Sequence, residues 1–329
     1  MKVALLGATG LVGTEMLLTL EERNFPVSEL VPLASSRSAG STVSFNGRDW
    51  MVREVSTEAF NGVDVALFSA GGEASLRWAP EAAAKGAVVV DNSSAWRMDP
   101  ETPLVVPEVN PEEAYRHKGI IANPNCATIQ AVVALKPLHD AAGLSEFSAV
   151  TFQAVSGTGR AALGELSDAS RAVLAGDGFD HRVYPHNIAF NVLPHIGDFD
   201  EEGISGEEWK MIRESKKIMG LPELRVSCTT TRVPVYRGHS ESLTACFDKS
   251  ISPREARTIL EKAPGVAVAD GPENALYPLA RDAAGRDDVF VGRLRRDTAR
   301  KNCLSMWVVS DNLRKGAALN AVQIAELIG

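Results

Sequence analysis

The sequence predicts an α/β chain of two domains, a parallel sheet covered by helices at residues 1–124 and a second, α+β domain at 125–311. Three observations carry this. Up to about Asn123, short continuous apolar runs alternate with helical stretches, the pattern of a parallel sheet buried on both faces. After Cys126 the strands lengthen and alternate polar with apolar residues, which fits a mostly antiparallel sheet. And 329 residues, 35.2 kDa, exceed what one hydrophobic core usually serves.

Taken in order, "KVALLG" is a buried strand and "LVGTEMLLTLEER" a helix with Leu11, Leu17, Leu18 and Leu20 apolar. "ELVPLAS", "VDVALFSAGG" and "AVVVDNS" are further strands, and "EASLRWAPEAAAKG" is a helix stopped by Gly86. "ATIQAVVALKPLHDAAG" opens the second domain as a helix. The strands "FSAVTFQAVSG", "RVSCTTTRVPVY", "ESLTACFD", "DVFVGRLRRD" and "CLSMWVVSD" follow, with helices at "EEWKMIRESKKIMG" and "SPREARTILEKA" between them. The final "NLRKGAALNAVQIAELIG" is helical and rich in small residues, so it packs closely on something. No repeat or low-complexity linker interrupts the chain.

Composition excludes several classes. A net charge of -8 argues against nucleic acid, and the one basic cluster, Gly292 to Lys301, is broken by Asp297 and reads as a solvated strand and turn. No apolar run approaches the ~18 residues of a membrane helix. The apolar start ends at Gly7, too short for a signal peptide. Cys126, Cys228, Cys246 and Cys303 lie far apart without C-x-x-C spacing, so free thiols in a reducing, cytoplasmic compartment are expected, the last three as core residues. His181, His186 and His195 are irregularly spaced and pair with no cysteine, so no metal site is expected.

"GATGLVG" follows a strand and opens a helix, the context of a dinucleotide fingerprint. Gly7, Gly10 and Gly13 allow the tight turn and the close approach of backbone to pyrophosphate, and the helix N-terminus offers free N–H groups. The second strand ends in Ser35, Ser36, Arg37 and Ser38 instead of the carboxylate that bonds a ribose in NAD sites. An arginine among hydroxyls suits a 2′-phosphate, hence NADP.

Asn123-Pro124-Asn125 breaks the preceding structure just before Cys126. The thiol therefore lies at a helix start, where a thiolate is stabilised. Position alone leaves two readings, a small buried hydrophobe and a nucleophile. A nucleophile needs a proton acceptor, and His239, beside Gly238 between two strands, stands out. Arg232 ends a strand running toward the same loop and offers a planar fork to a carboxylate.

Together these motifs resemble aspartate-semialdehyde dehydrogenases. "GATGLVG", "ASSRSAG", "DNSSAWRMD", "NPNCATIQ", "FQAVSGTGR", "AFNVLPHIG", "EEWKMIRESKKI", "RVPVYRGHSES" and "SDNLRKGAALNAVQ" occur in that family's order over nearly the full length. The resemblance implies a Rossmann-type NADP domain and a catalytic domain related to that of glyceraldehyde-phosphate dehydrogenase, with a C-terminal helix, 312–329, packed on the first. It implies homodimers or homotetramers and NADPH-dependent reductive dephosphorylation of L-4-aspartyl phosphate to L-aspartate 4-semialdehyde and phosphate. That step serves lysine and diaminopimelate, threonine, methionine and isoleucine biosynthesis.

By the same resemblance Cys126 carries the acyl group, His239 is the acid/base and Gln153 positions substrate; Asn125, with the backbone N–H groups of the helix start, is placed by the sequence to steady the oxyanion. Arg232 binds the α-carboxylate and Glu207 the amino group, while Arg97 and Lys210 hold phosphate. Thr9, Leu11, Val12, Ser69, Gly71, Ser156, Gly157 and Asn312 join the glycines and Ser35 to Ser38 at the cofactor. Two departures are Ala127, where many relatives have serine, and Thr158, where alanine is frequent. The nearest alternative, an N-acetylglutamyl-phosphate reductase, typically carries N-P-G-C-Y around its cysteine. A non-catalytic NADP sensor is the alternative of another class.

Overall fold

The computed structural model describes all 329 residues, in two compact units. The first comprises Met1–Asn125 and Ala317–Gly329, the second Cys126–Gly316.

In the first unit β1 (Lys2–Leu6) is almost wholly buried. α1 (Leu11–Glu22) and β2 (Glu29–Ala34) follow. A hairpin of β3 (Thr42–Phe45) and β4 (Arg48–Met51) comes next, absent from the expectation above. Its turn is Asn46-Gly47, both at positive φ, the pair a tight hairpin prefers. β5 (Arg53–Glu54), β6 (Val65–Phe68), α2 (Gly72–Ala84), β7 (Val88–Asp91) and β8 (Ile120–Ala122) complete the run. Six of these strands pair in parallel in the order β5-β2-β1-β6-β7-β8. The order reverses between β1 and β6, and open parallel sheets bind ligands outside the carboxyl ends of strands at such a reversal.

The second unit starts with α3 (Cys126–Ala142), whose residues from Ala127 to Leu135 are all buried. It continues through β9 (Leu144–Gln153), α4 (Arg160–Ala175, a helix not anticipated), α5 (Gly206–Met219), β10 (Arg225–Arg232) and β11 (His239–Phe247). α6 (Pro253–Leu260), β12 (Val266–Val268), α7 (Ala280–Ala283), β13 (Val289–Arg296) and β14 (Cys303–Ser310) follow. Both amphipathic helices begin with capping boxes, Ser205 with Glu208 and Ser252 with Glu255. Gly220 ends α5 in the left-handed conformation.

The second sheet has the order β10-β9-β11-β14-β13-β12. It is mixed: β9–β11, β11–β14 and β13–β14 are antiparallel, while β9–β10 and β12–β13 are parallel. On β11, His239, Glu241, Leu243, Ala245 and Phe247 are all buried, the face against which α3 packs.

The cysteine expectation is corrected. Cys246 and Cys303 are register partners on β11 and β14 and form a disulfide, leaving only Cys126 and Cys228 unbridged. A spacing of 57 residues conceals the pair in the sequence, and antiparallel pairing brings it together.

After β14 a π-helical turn, Arg314–Ala318, leads to α8 (Leu319–Ile328). Ala321, Val322, Ile324 and Ala325 share one core cluster with Val3, Leu5, Val65 and Ile121 of the first unit. Ala321 and Ala325 add little bulk to this face of α8.

Candidate active site

The glycine loop of the first unit tolerates no side chain at two positions. Gly7 has φ 89°, and a Cβ there would stand 2.2 Å from the Ser69 carbonyl oxygen. A Cβ on Gly13 would stand 2.2 Å from the Gly7 carbonyl oxygen. Gly10 caps α1, and its N–H donates to Gly7 O at 3.0 Å. The first turn of α1, with Leu11 and Val12, carries no acidic residue and no side-chain cap, so its N–H groups suit an anion. Ser69 and Gly71 follow β6, across the reversal, and Gly71 caps α2.

A cavity of 620 Å³ adjoins this loop, lined by Thr9, Thr14, Arg37, Ser38 and Ser41 among others. Ser35 and Ser36 form the turn leading to it, where Ser38 N–H donates to Ser35 O. A cation with hydroxyls beside a glycine loop fits a phosphorylated dinucleotide. Arg97, in the same unit, is buried, donating from Nε to Asn123 O at 2.9 Å and from Nη2 to Asn92 O at 3.0 Å.

In the second unit Cys126 is the first residue of α3, partly exposed and unbridged. Asn125, just before it, is buried. Gly316 leaves the room beside the thiol, since a Cβ there would stand 2.8 Å from Cys126 Cβ.

Arg232 ends β10, and His239 begins β11. Both are buried, and both face Gly157, whose added Cβ would stand 2.9 Å from Arg232 Nη1 and 3.4 Å from His239 Nε2. Arg232 Nη1 donates to Ala154 O at 2.8 Å, leaving Nε without a partner.

His239 Nδ1 accepts the Ala154 N–H at 3.0 Å. The neutral ring must therefore carry its proton on Nε2, which has no protein partner. Burial first, and the Arg232 charge second, hold its pKa down at about 3. The ring is thus a neutral imidazole presenting one N–H.

Gln153 and Glu207 join the same group. Gln153 Nε2 donates to Glu207 Oε1 at 3.1 Å, and Lys210 Nζ to Glu207 Oε2 at 3.1 Å. Glu207 is buried, whereas the Lys210 side chain is 39% exposed. Asn312 ties two loops: its Nδ2 donates to Ser156 Oγ at 2.9 Å and its Oδ1 accepts Gly238 N–H at 2.9 Å. The loop histidines stay outside: His181 and His186 rings lie 6.5 Å apart, and His195 stacks on Phe199.

Glu241, Gln130 and Gly316 are neighbours of this constellation that the sequence reading passed over. For Glu241 a signal existed: it shares the alternation of His239, Leu243 and Ala245, which puts a carboxyl on the core face of a strand.

Comparison with known proteins identifies the family. Residues 2–117 match the family described as semialdehyde dehydrogenase, NAD binding domain, and residues 135–315 the semialdehyde dehydrogenase dimerisation domain. The aspartate-semialdehyde dehydrogenase of Aquifex aeolicus is 55% identical over 99% of this chain and 97% of its own. The crystal structure of aspartate semialdehyde dehydrogenase II from Vibrio cholerae complexed with ASA matches with TM-score 0.95 and 46% identity, covering 99% of this chain and 97% of that one. A Candida albicans aspartate semialdehyde dehydrogenase with NADP matches at TM-score 0.75 and 27% identity, covering 99% and 98%. With a glycine-loop dinucleotide domain, a cysteine at a helix start and full-length identity of this order, the chain belongs to the aspartate-semialdehyde dehydrogenase family.

Proposed function

We propose that the protein converts L-4-aspartyl phosphate to L-aspartate 4-semialdehyde and phosphate, with NADPH, through a thioester on Cys126. The reaction is a step toward lysine and diaminopimelate, threonine, methionine and isoleucine. The single observation that carries this reading is the grouping of Arg232, His239, Gln153 and Glu207 in the unit whose first residue is Cys126.

Arg232 takes the α-carboxylate, and Glu207 the α-ammonium, which leaves the acyl phosphate for the thiol. The helix start favours the Cys126 thiolate. Its attack forms a C–S bond and breaks the bond to the phosphate oxygen, which leaves with the electron pair. Lys210 is suited to the departing phosphate by its exposed ammonium, and Arg97 is assigned the same ligand by resemblance. NADPH, when bound at the glycine loop and the Arg37 cavity, would supply the hydride that adds to the thioester carbonyl carbon and leaves a hemithioacetal oxyanion on Cys126. The hemithioacetal oxyanion then expels Cys126 thiolate and becomes the aldehyde. That collapse needs no base: the Nε2–H of neutral His239 donates to the oxyanion and holds its charge.

NADP over NAD is supported by Arg37 and Ser38 at the cavity, and by the Candida albicans relative. The dimerisation-domain match supports a homodimer; a homotetramer built from it is the other assembly of this reading. Cytoplasmic residence is part of the same reading and rests on the proposed activity, since the Cys246–Cys303 bridge removes the free-thiol argument for it; no helix is long and apolar enough to cross a membrane.

The test is reduction of NADP by L-aspartate semialdehyde with and without inorganic phosphate, followed by nicotinamide absorbance. Turnover that requires phosphate is expected. Turnover without phosphate, or none with it, rejects the assignment.

A further inference from the structure

Glu241 is fully buried two residues beyond His239, and neither of its oxygens has a partner at hydrogen-bond distance. Facing it on α3 is Gln130, one helical turn after Cys126, whose amide is near enough to act electrostatically on the carboxyl although no hydrogen bond joins them. Ser310 Oγ donates to Gln130 Oε1 at 2.7 Å. That bond uses the acceptor end of the amide, so the unpartnered Nε2 is the end left for Glu241. An ionised carboxylate in such a place would lack the several donors that burial demands, whereas a carboxylic acid needs far fewer.

The groups around it point the same way. Its register partners, Thr151 on β9 and Val308 on β14, carry no charge. Burial first, and the charge of Glu207 on α5 in smaller part, push the Glu241 pKa up to about 8 against the lowering effect of the Gln130 amide. Glu214 of α5 and Lys315 beyond β14 are also buried and have partners of their own. His239 lies one pleat away on the same strand face. No cation is bonded to Glu241.

We propose that Glu241 is a positioning residue held as a neutral carboxylic acid, which steadies the Cys126-bearing helix through Gln130 and keeps a second negative charge from beneath Glu207 and His239. Losing its proton would bring two anions together behind the substrate site and oppose the Cys126 thiolate. The alkaline limit of activity is therefore set by this group, which touches neither substrate nor cofactor. The inference rests on Cys126 being the nucleophile of the proposed reaction.

Two readouts test it, kcat/KM for aspartate semialdehyde across the neutral and alkaline range and the rate of Cys126 alkylation by iodoacetamide. Glu241→Ala should lower both by about tenfold at neutral pH, and Glu241→Gln, a permanently neutral isostere, should restore both to within about threefold. The wild type should lose activity as pH rises through about 8, and the glutamine variant should keep it. A glutamine variant as poor as the alanine one, or sharing the alkaline loss, overturns the proposal. Should the alanine variant not fold, Gln130→Leu leaves β11 intact and should slow alkylation with KM within about twofold; unchanged alkylation is equally fatal. Alkylation needs neither substrate nor dinucleotide. A protein that alkylates as expected yet does not turn over aspartate semialdehyde rejects the substrate assignment alone.

Discussion

Adding one methyl group at Gly157 tests the Arg232–His239 arrangement directly. The new Cβ would stand 2.9 Å from Arg232 Nη1 and 3.4 Å from His239 Nε2. Non-bonded heavy atoms prefer roughly 3.5–4.0 Å, so the guanidinium must retreat by about half an ångström. It cannot do so freely, because Nη1 is held by Ala154 O at 2.8 Å. The backbone at Gly157 lies in a helical turn without positive φ, so alanine strains nothing locally. A misplacement of about 1 Å can cost ~10²-fold in rate. Half that displacement corresponds to about tenfold, or ~1.4 kcal/mol of transition-state binding.

For Gly157→Ala the expected result is a tenfold-order fall in kcat/KM for aspartate semialdehyde, chiefly in KM, with the melting temperature unchanged. Steady-state kinetics with each substrate varied in turn reads it. A variant within twofold of wild type would show that Arg232 does not hold the substrate carboxylate where the geometry puts it. A change confined to the KM for NADP would assign Gly157 to the cofactor instead.

Replacing Cys126 by alanine should remove at least about 10³-fold of turnover and leave the unfolding transition in place, and near-normal turnover would exclude the thioester route. Arg232→Leu should weaken reaction of the carboxylate-bearing aldehyde by about 2–5 kcal/mol, with normal kinetics removing the residue from the site. His239 titrates at 6.5 when unfolded and about 3 when folded, so the unfolded chain binds the extra proton between those values. Stability due to this group is present above pH 6.5 and falls as pH drops toward 3, by a few kcal/mol at most. His239→Asn should flatten that acid limb in denaturant titrations; an unchanged limb contradicts a buried neutral ring. The Cys246–Cys303 bridge closes a 57-residue span, worth about 4 kcal/mol on a chain-entropy estimate. Reductant should lower the unfolding midpoint, and alkylation after denaturation without reductant should label Cys126 and Cys228 only. Labelling of all four cysteines would contradict the bridge.

Much of this was legible in the chain. The helix start at Cys126 could be read from Asn123-Pro124-Asn125 before an apolar run, because proline and asparagine punctuate locally. Gly7 and Gly13 were legible for a similar reason: their tight turn is made by neighbours in sequence. Arg232 and His239 could be placed at two strand ends, though not against a common Gly157, which arrives from a different loop. The hairpin at Thr42–Met51 passed unseen because its strands are short and mostly exposed, and the helix Arg160–Ala175 because its buried stripe, Ala162, Glu165, Leu166 and Ala169, has the spacing of a helix but only one large apolar side chain.

By itself, the sequence determined what local chemistry determines: alternating strands and helices, the glycine turn, the helix that begins with the thiol, and the family resemblance its motifs carry. Tertiary structure alone decided which distant residues share an environment. It joined Cys246 to Cys303 across a strand pair, where spacing had suggested free thiols. It set the Ala154 N–H on His239 Nδ1 and so the tautomer of the ring. It buried Glu241 opposite Gln130 and near Glu207, which is what makes an ordinary strand carboxyl a neutral acid. Burial, register and proton state depend on contacts far apart along the chain, and no local pattern encodes those.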